Sequence, residues 1–111
     1  MDTTIRHERS RFEILVDGEV AGFTEYLQNG DRRIFVHTVV DPAFEGHGLA
    51  GTVVRHALET TRREGMRVVA VCPYVAGYVE RHPEVADLVD PVTREDAAVV
   101  RAHEDDGGAA P

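Results

Sequence analysis

The sequence predicts a mixed α/β domain on a single sheet, antiparallel where it starts and finished by a βαβ crossover. Three observations predict it. Turn signals of the positive-φ kind, Asp17-Gly18 and Asn29-Gly30, separate short β-rich runs. An amphipathic stripe of helical period follows a glycine-rich turn. The run from Met66 to Cys72 is then almost continuously apolar, the pattern of a strand buried on both faces.

Phe12, Ile14 and Val16 give the first strand its apolar side, and Asp17-Gly18 turns the chain into a second strand over residues 19–27. After Asn29-Gly30, Arg33 through Val40 is β-rich again, so residues 11–40 read as a three-stranded antiparallel meander. Over residues 47–64, Leu49, Ala50, Val53, Val54, Ala57 and Leu58 fall on one helical face, with Arg55, Glu59, Arg62 and Arg63 mostly outside it. Arg62 and Arg63 suit the C-terminal end of that helix, and Gly65 stands where a left-handed cap is expected. Strands 34–40 and 67–72 therefore belong to one sheet with the helix across one face. Residues 74–81 read as a short helix ended by Pro83, with Tyr74 and Tyr78 on the same face. The domain is assigned to residues 7–95. Residues 96–111 are expected to form an acidic, disordered tail with too little apolar area to offset its ordering entropy.

Composition bounds the function. With 111 residues and 42% hydrophobic content there is material for one core and no need of a linker. A net charge of −8 argues against nucleic acid as partner and favours cationic ligands. Cys72 is the single cysteine, which excludes an intramolecular disulfide and suits a reducing compartment, so the expected location is cytoplasmic. The charged N-terminus has no apolar signal region and no stretch approaches the ~20 apolar residues of a span, so no membrane association is expected. His37, His47, His56, His82 and Cys72 lack the short spacings of a zinc site, and no metal is expected. Ser10, the only serine, sits in the charged N-terminal segment and not at a strand-to-helix elbow, which disfavours a hydrolase triad.

Residues 39–55 carry the functional signal. An apolar strand runs through Gly46, Gly48 and Gly51 into the amphipathic helix, whose first-turn N–H groups and dipole form a cradle for an anion. The bland alternative is a tight connection without a ligand; three glycines in six residues weigh against it. Gly46-His47-Gly48-Leu49-Ala50-Gly51 also fits the dinucleotide fingerprint as a pattern. A meander precedes it, however, and the next strand ends in Cys72 without the acidic residue that fingerprint needs. The Gly-Lys-Ser/Thr of a Walker loop is absent.

Glu45-Gly46-His47-Gly48-Leu49-Ala50 resembles the Q/R-x-x-G-x-G/A signature of the GCN5-related N-acetyltransferase superfamily. Together with Cys72-Pro73-Tyr74-Val75, Tyr78-Val79 and Arg81-His82-Pro83-Glu84, it resembles a subgroup of short acetyltransferase-like proteins over roughly residues 7–90. The resemblance implies a minimal fold of that kind, in which a strand splays from its parallel neighbour and acetyl-CoA, or another short acyl-CoA, lies in the wedge. Here the wedge would lie between Val36–Val40 and Val68–Cys72. The implied cofactor-binding residues are Val39, Val40, Glu45, Gly46, His47, Gly48, Leu49, Ala50, Gly51 and Thr52, with the edge of Val39 and Val40 pairing with the pantetheine amides. Glu45 departs from the pattern, and a carboxylate near pyrophosphate is electrostatically unfavourable.

Cys72 and Tyr78 are the candidate catalytic side chains. Cys72 would be a nucleophile or proton relay at the mouth of the wedge; its bland reading is a small buried hydrophobe. The resemblance implies a tyrosine that protonates the departing thiolate, a role for Tyr78 before Tyr74, with core packing the alternative for both. His37, in register with Phe35 and Val39, reads as a general base or a satisfied strand histidine. His47 would add a cationic contact in the turn, His56 should be solvated, and His82 reads as part of a helix stop. The expected activity is acyl-CoA-dependent transfer to an amine, either a small molecule or a protein lysine or N-terminus. A non-catalytic acyl-CoA binding or sensing module is the alternative. Superfamily members carry helices over the acceptor site that Asp17-Gly18 leaves no room for, so an open acceptor site is expected, completed by a second subunit in a homodimer or by a large substrate.

Overall fold

Alternation along the strands sends Phe12, Ile14, Val16, Tyr26 and Phe35 to one face, where the core forms. The computed structural model describes residues 1–104. Five strands, β1 (Thr3–Glu8), β2 (Arg11–Val16), β3 (Glu19–Asn29), β4 (Arg32–Val40) and β5 (Arg67–Ala70), make one sheet in chain order. All neighbours are antiparallel except β4 and β5, which are parallel. Helix α1 (Leu49–Arg63) makes the crossover, α2 (Pro73–Arg81) follows β5, and α3 (Arg94–His103) comes last. Short 3-10 turns occupy Pro42–Phe44 and Pro83–Leu88. The mixed α/β reading therefore holds. No helix among the described residues is long and apolar enough to cross a membrane.

Val53, Val54, Ala57 and Leu58 of α1 and Val75 and Tyr78 of α2 pack on the sheet as one cluster, in which the four α1 residues and Val75 are fully buried. The glycine expectations hold at two turns: Asp17 and Gly18 have φ of 50° and 84°, and Gly65 closes α1 at 71°. The other hairpin is centred one residue later than the sequence suggests. Asn29 pairs with Arg32, so the loop is Gly30-Asp31, and only Gly30 is left-handed (φ 63°).

Both ends of the domain extend beyond residues 7–95. At the start, β1 adds a fourth antiparallel strand to the expected meander. Its polar sequence hides an inward side: Ile5 packs on the core, and His7 stacks on Phe12 at 4.0 Å and bonds the Tyr26 hydroxyl at 2.7 Å. At the other end, residues 94–103 are helical although disorder is expected from residue 96; residues 105–111 lie outside the described residues. Thr93 and Asp96 form a reciprocal capping box. The Asp96 carboxylate is fully buried and accepts from Asn29 Nδ2 at 3.0 Å and Arg32 at 2.5 Å, partners some 65 residues away that no local pattern reveals. α3 lies against β3 on the face opposite α1, and Ile34 and Val69, fully buried but outside the main core, belong to that side.

The Arg32 guanidinium holds the Asp96 carboxyl well below its ordinary value of 3.8. Its contribution to stability is therefore complete above about pH 4 and is lost as the pH falls through the lowered value. Asp96→Ala is expected to lower the unfolding free energy by about 2–3 kcal/mol, the range of a charge-assisted hydrogen bond, because Arg32 loses its buried acceptor but keeps Asp90. Urea titrations at neutral pH, and their flattening below pH 4 relative to the parent chain, check both statements.

Candidate functional site

Between β4 and α1 the chain presents backbone donors to open space. Asp41 caps the 3-10 turn, its Oδ1 accepting from the Ala43 N–H at 2.9 Å. Glu45, Gly46, His47 and Gly48 that follow are all exposed. Gly46 (φ 87°) and Gly48 (φ 69°) are left-handed, and a Cβ at either would meet nothing within 4 Å. Conformation, not crowding, requires glycine at both positions. Gly48 is the N-cap of α1 and supplies no side-chain cap. The first helical bond runs from the Thr52 N–H to the Gly48 carbonyl at 3.2 Å, reinforced by the Thr52 hydroxyl at 3.1 Å. Among the described residues, nothing accepts from the N–H groups of Leu49, Ala50 and Gly51. Free amides at the positive end of a 15-residue helix form a site for an anion.

This loop opens onto a groove of about 270 Å3 between α1 and α2, lined by Gly51, Thr52, Arg55, Tyr74, Tyr78 and Arg81. A Cβ at Gly51 would make an ordinary contact with the Tyr74 hydroxyl at 3.5 Å, so the groove has room for alanine there. Arg55 and Arg81 are exposed and have no ion-pair partner among the described residues. The Tyr78 ring is 4% exposed and stacks on His82 at 3.8 Å; the His82 Nδ1 lies 2.8 Å from the Tyr78 carbonyl. Burial pushes the Tyr78 phenol above its ordinary 10.0, so it holds its proton as a donor. His82 thus ends the helix and also sets the tyrosine ring.

On the sheet side, β4 and β5 pair only from Arg32 to Phe35 and from Arg67 to Ala70. The Val71 and Cys72 N–H groups both turn to the Phe35 carbonyl, at 3.1 and 2.7 Å, and Pro73 then starts α2. From Val36 to Val40 nothing pairs with β4 on that edge among the described residues. The gap is shorter than the expected Val68–Cys72 wall, because Val68, Val69 and Ala70 are zipped to Arg33, Ile34 and Phe35. Cys72, 4% exposed, caps α2, and its Sγ donates to the Thr38 hydroxyl at 3.4 Å. The Thr38 and Thr24 hydroxyls are 3.0 Å apart, and Thr24 reaches the His37 carbonyl at 3.4 Å. A file of hydroxyls thus connects the thiol to the backbone of β4. Thr38 and Thr24, like Arg55 and Arg81, are absent from the sequence reading, since only the approach of separate elements identifies them.

The histidines fall differently from expectation. Glu25 pairs with His37 but Tyr26 with Phe35, so Val36 is a bulge. That extra residue puts His37 with Val39 on the α3 side of the sheet, while Phe35 faces α1. His37 is exposed, and its ring bonds no protein group among the described residues. His56 is half-buried and meets the Phe12 ring edge-on at 6.2 Å, so it is not the solvated residue expected. Gly22, unremarked in sequence, is obligatory: a Cβ there would lie 2.6 Å from the Val39 carbonyl oxygen, where β3 pairs with β4.

Residues 11–88 match the family model described as GCN5-related N-acetyl-transferase. Among solved structures, the chain is similar to the NMR structure of a GCN5-like protein from Staphylococcus aureus, with TM-score 0.64 and 16% identity over 82% of this chain and 91% of that one. It is also similar to the ribosomal-protein-S18-alanine N-acetyltransferase of Escherichia coli (TM-score 0.56, 18% identity, 68% of this chain and 53% of that one). A third likeness is to the N-acetylglutamate synthase of Neisseria gonorrhoeae, solved with coenzyme A and N-acetyl-glutamate (TM-score 0.53, 15% identity, 65% of this chain and 18% of that one). At these identities the likenesses concern the fold. Comparison with proteins of curated function gives no match.

Gly48→Ala is expected to cost about 1–2 kcal/mol, the penalty of a left-handed residue with a Cβ. Gly51→Ala, inside the first turn of α1, should leave stability equal or higher by up to about 1 kcal/mol. Thermal or urea unfolding of the two variants checks the contrast.

Proposed function

Because the chain belongs to the GCN5-related N-acetyl-transferase family, we propose that it transfers an acetyl or other short acyl group from coenzyme A to the nitrogen of an amine. The observation that carries this reading is the joining of two features by one loop. The unsatisfied amides of residues 49–51 and the unpaired edge of β4 stand at the two ends of one loop, residues 41–48. A diphosphate on the loop and an extended, amide-bearing arm along Val36–Val40 would satisfy both sets of backbone groups together.

The residues fit such a ligand. Gly46 to Thr52 would hold the pyrophosphate, and Arg55 and Arg81, which have no carboxylate partner among the described residues, would supply the positive charge that the exposed Glu45 works against. Val39 and Val40 would pair with the arm. Bound acyl-CoA supplies the activated thioester carbonyl. Tyr78, kept protonated by burial, would give its proton to the departing sulfur. Cys72, held as a donor to Thr38 beside the gap, would touch the acyl group, as a wall or as a transient acceptor.

Calorimetry with acetyl-CoA tests the reading: saturating ligand, at about 100 times its dissociation constant, should add about 2.7 kcal/mol of stability. A folded Gly48→Val chain should not bind. Binding without thiol release for any amine would make the protein an acyl-CoA binding module. Tyr78→Phe is expected to lower kcat by about 100-fold at unchanged affinity for acetyl-CoA.

The role of Cys72 can be read on the intact protein. All 12 of its Lys+Arg residues are arginine, so no lysine competes for the acyl group. A hydroxylamine-labile acetyl adduct that Cys72→Ala removes, together with the activity, identifies a nucleophile. Full activity in Cys72→Ala leaves it as a wall.

A further inference from the structure

On the side of the sheet opposite α1, a cleft of about 550 Å3 lies between the strands and the end of α3. Phe23, Leu27, Val36, Val39, Val71 and Val100 supply its apolar lining, and its titratable groups are Arg11, Glu25, His37, His103 and Glu104. Val39 (42% exposed) and Val71 (36%) are among the few large apolar side chains left open to solvent. They belong to the two segments that part at Phe35, so the cleft meets the gap from behind.

We propose that this cleft is the acceptor site, and that it takes a small primary amine carried on an apolar stem. The inference rests on the acyl-CoA reading above and specifies its second substrate. Charge favours an ammonium group. The one guanidinium in the lining, Arg11, stacks on the Phe23 ring at 3.7 Å and lies 3.6 Å from Glu13, whereas Glu25 and Glu104 have no ion-pair partner among the described residues. The volume falls within the range of small-molecule sites. α3 walls one side, so the site is less open than a sheet without roofing helices implies.

His37 is the proton acceptor. The bulge at Val36 turns it into this cleft, where Glu25 is its cross-strand partner. Arg11 on β2 and His103 and Glu104 on α3 are the other charged or titratable groups facing the cleft. The ammonium gives one proton to the imidazole, and its nitrogen then bonds the acyl carbon as the thioester C–S bond breaks. The second amine proton leaves to solvent, and the thiolate takes the Tyr78 proton.

NMR titration of the labelled full chain with 2-phenylethylamine tests the site without acyl-CoA. Amide shifts are expected at Phe23, His37, Val39, Val71 and Val100, and at least tenfold weaker binding of 2-phenylethanol. Val100→Arg should abolish amine binding and leave the coenzyme A shifts at Gly46–Thr52 intact. His37→Gln should bind the amine within twofold of the parent, lose about 100-fold in kcat and lose the acidic limb of the pH–rate profile. Shifts elsewhere, equal binding of the alcohol, or acylation of a lysine peptide but of no free amine would overturn the proposal. If coenzyme A still shifts Gly46–Thr52, the acyl-CoA reading survives those outcomes. Absence of those shifts overturns both.

Discussion

The Phe35 carbonyl accepts from both the Val71 and the Cys72 N–H, and with that shared acceptor the parallel ladder stops. Phe35 itself is fully buried in the core, so the branch point is anchored on a side chain that cannot move without disturbing the sheet. One residue further, the bulge at Val36 bends β4 away, and Pro73 commits the other chain to α2. The unpaired edge of β4, the Cys72–Thr38 contact and the cleft behind Val39 all follow from this parting.

The bulge also sorts the chemistry between the two faces. Before it, odd-numbered residues of β4 face α1; after it, Thr38 and Val40 take that side, and His37 and Val39 turn to α3. Hydroxyls, a thiol and the free helix amides therefore gather on one face of the gap, and an imidazole with carboxylates on the other. An inserted residue thus gives the two faces of one short strand different chemistry.

Charge is distributed to match. The chain carries −8 overall, yet Arg55 and Arg81, beside the amide loop, have no ion-pair partner among the described residues, while other arginines are engaged with carboxylates in holding the fold. Arg32 and Arg67 share Asp90, and Arg32 also holds Asp96. The ion pairs that fix α3 thus also set one wall of the cleft.

The meander, the crossover helix, the glycine loop and the short helix at Pro73 were legible in the sequence because each is written in local terms: periodicity, turn residues and caps. β1 was not, since Ile5 and His7 become an inward side only when Phe12 and Tyr26 are beside them. α3 was not read either, because the capping box of Thr93 and Asp96 stands at the start of a segment too acidic to look ordered, and its docking depends on Arg32 and Asn29 far away in the chain. The face of His37 was decided by the bulge, a register event between strands that neither strand's own pattern encodes. By itself the sequence determined which segments could be strand, helix or anion loop. Only the tertiary structure decided which side chains meet across the gap, because those meetings depend on long-range pairing and not on neighbours in sequence.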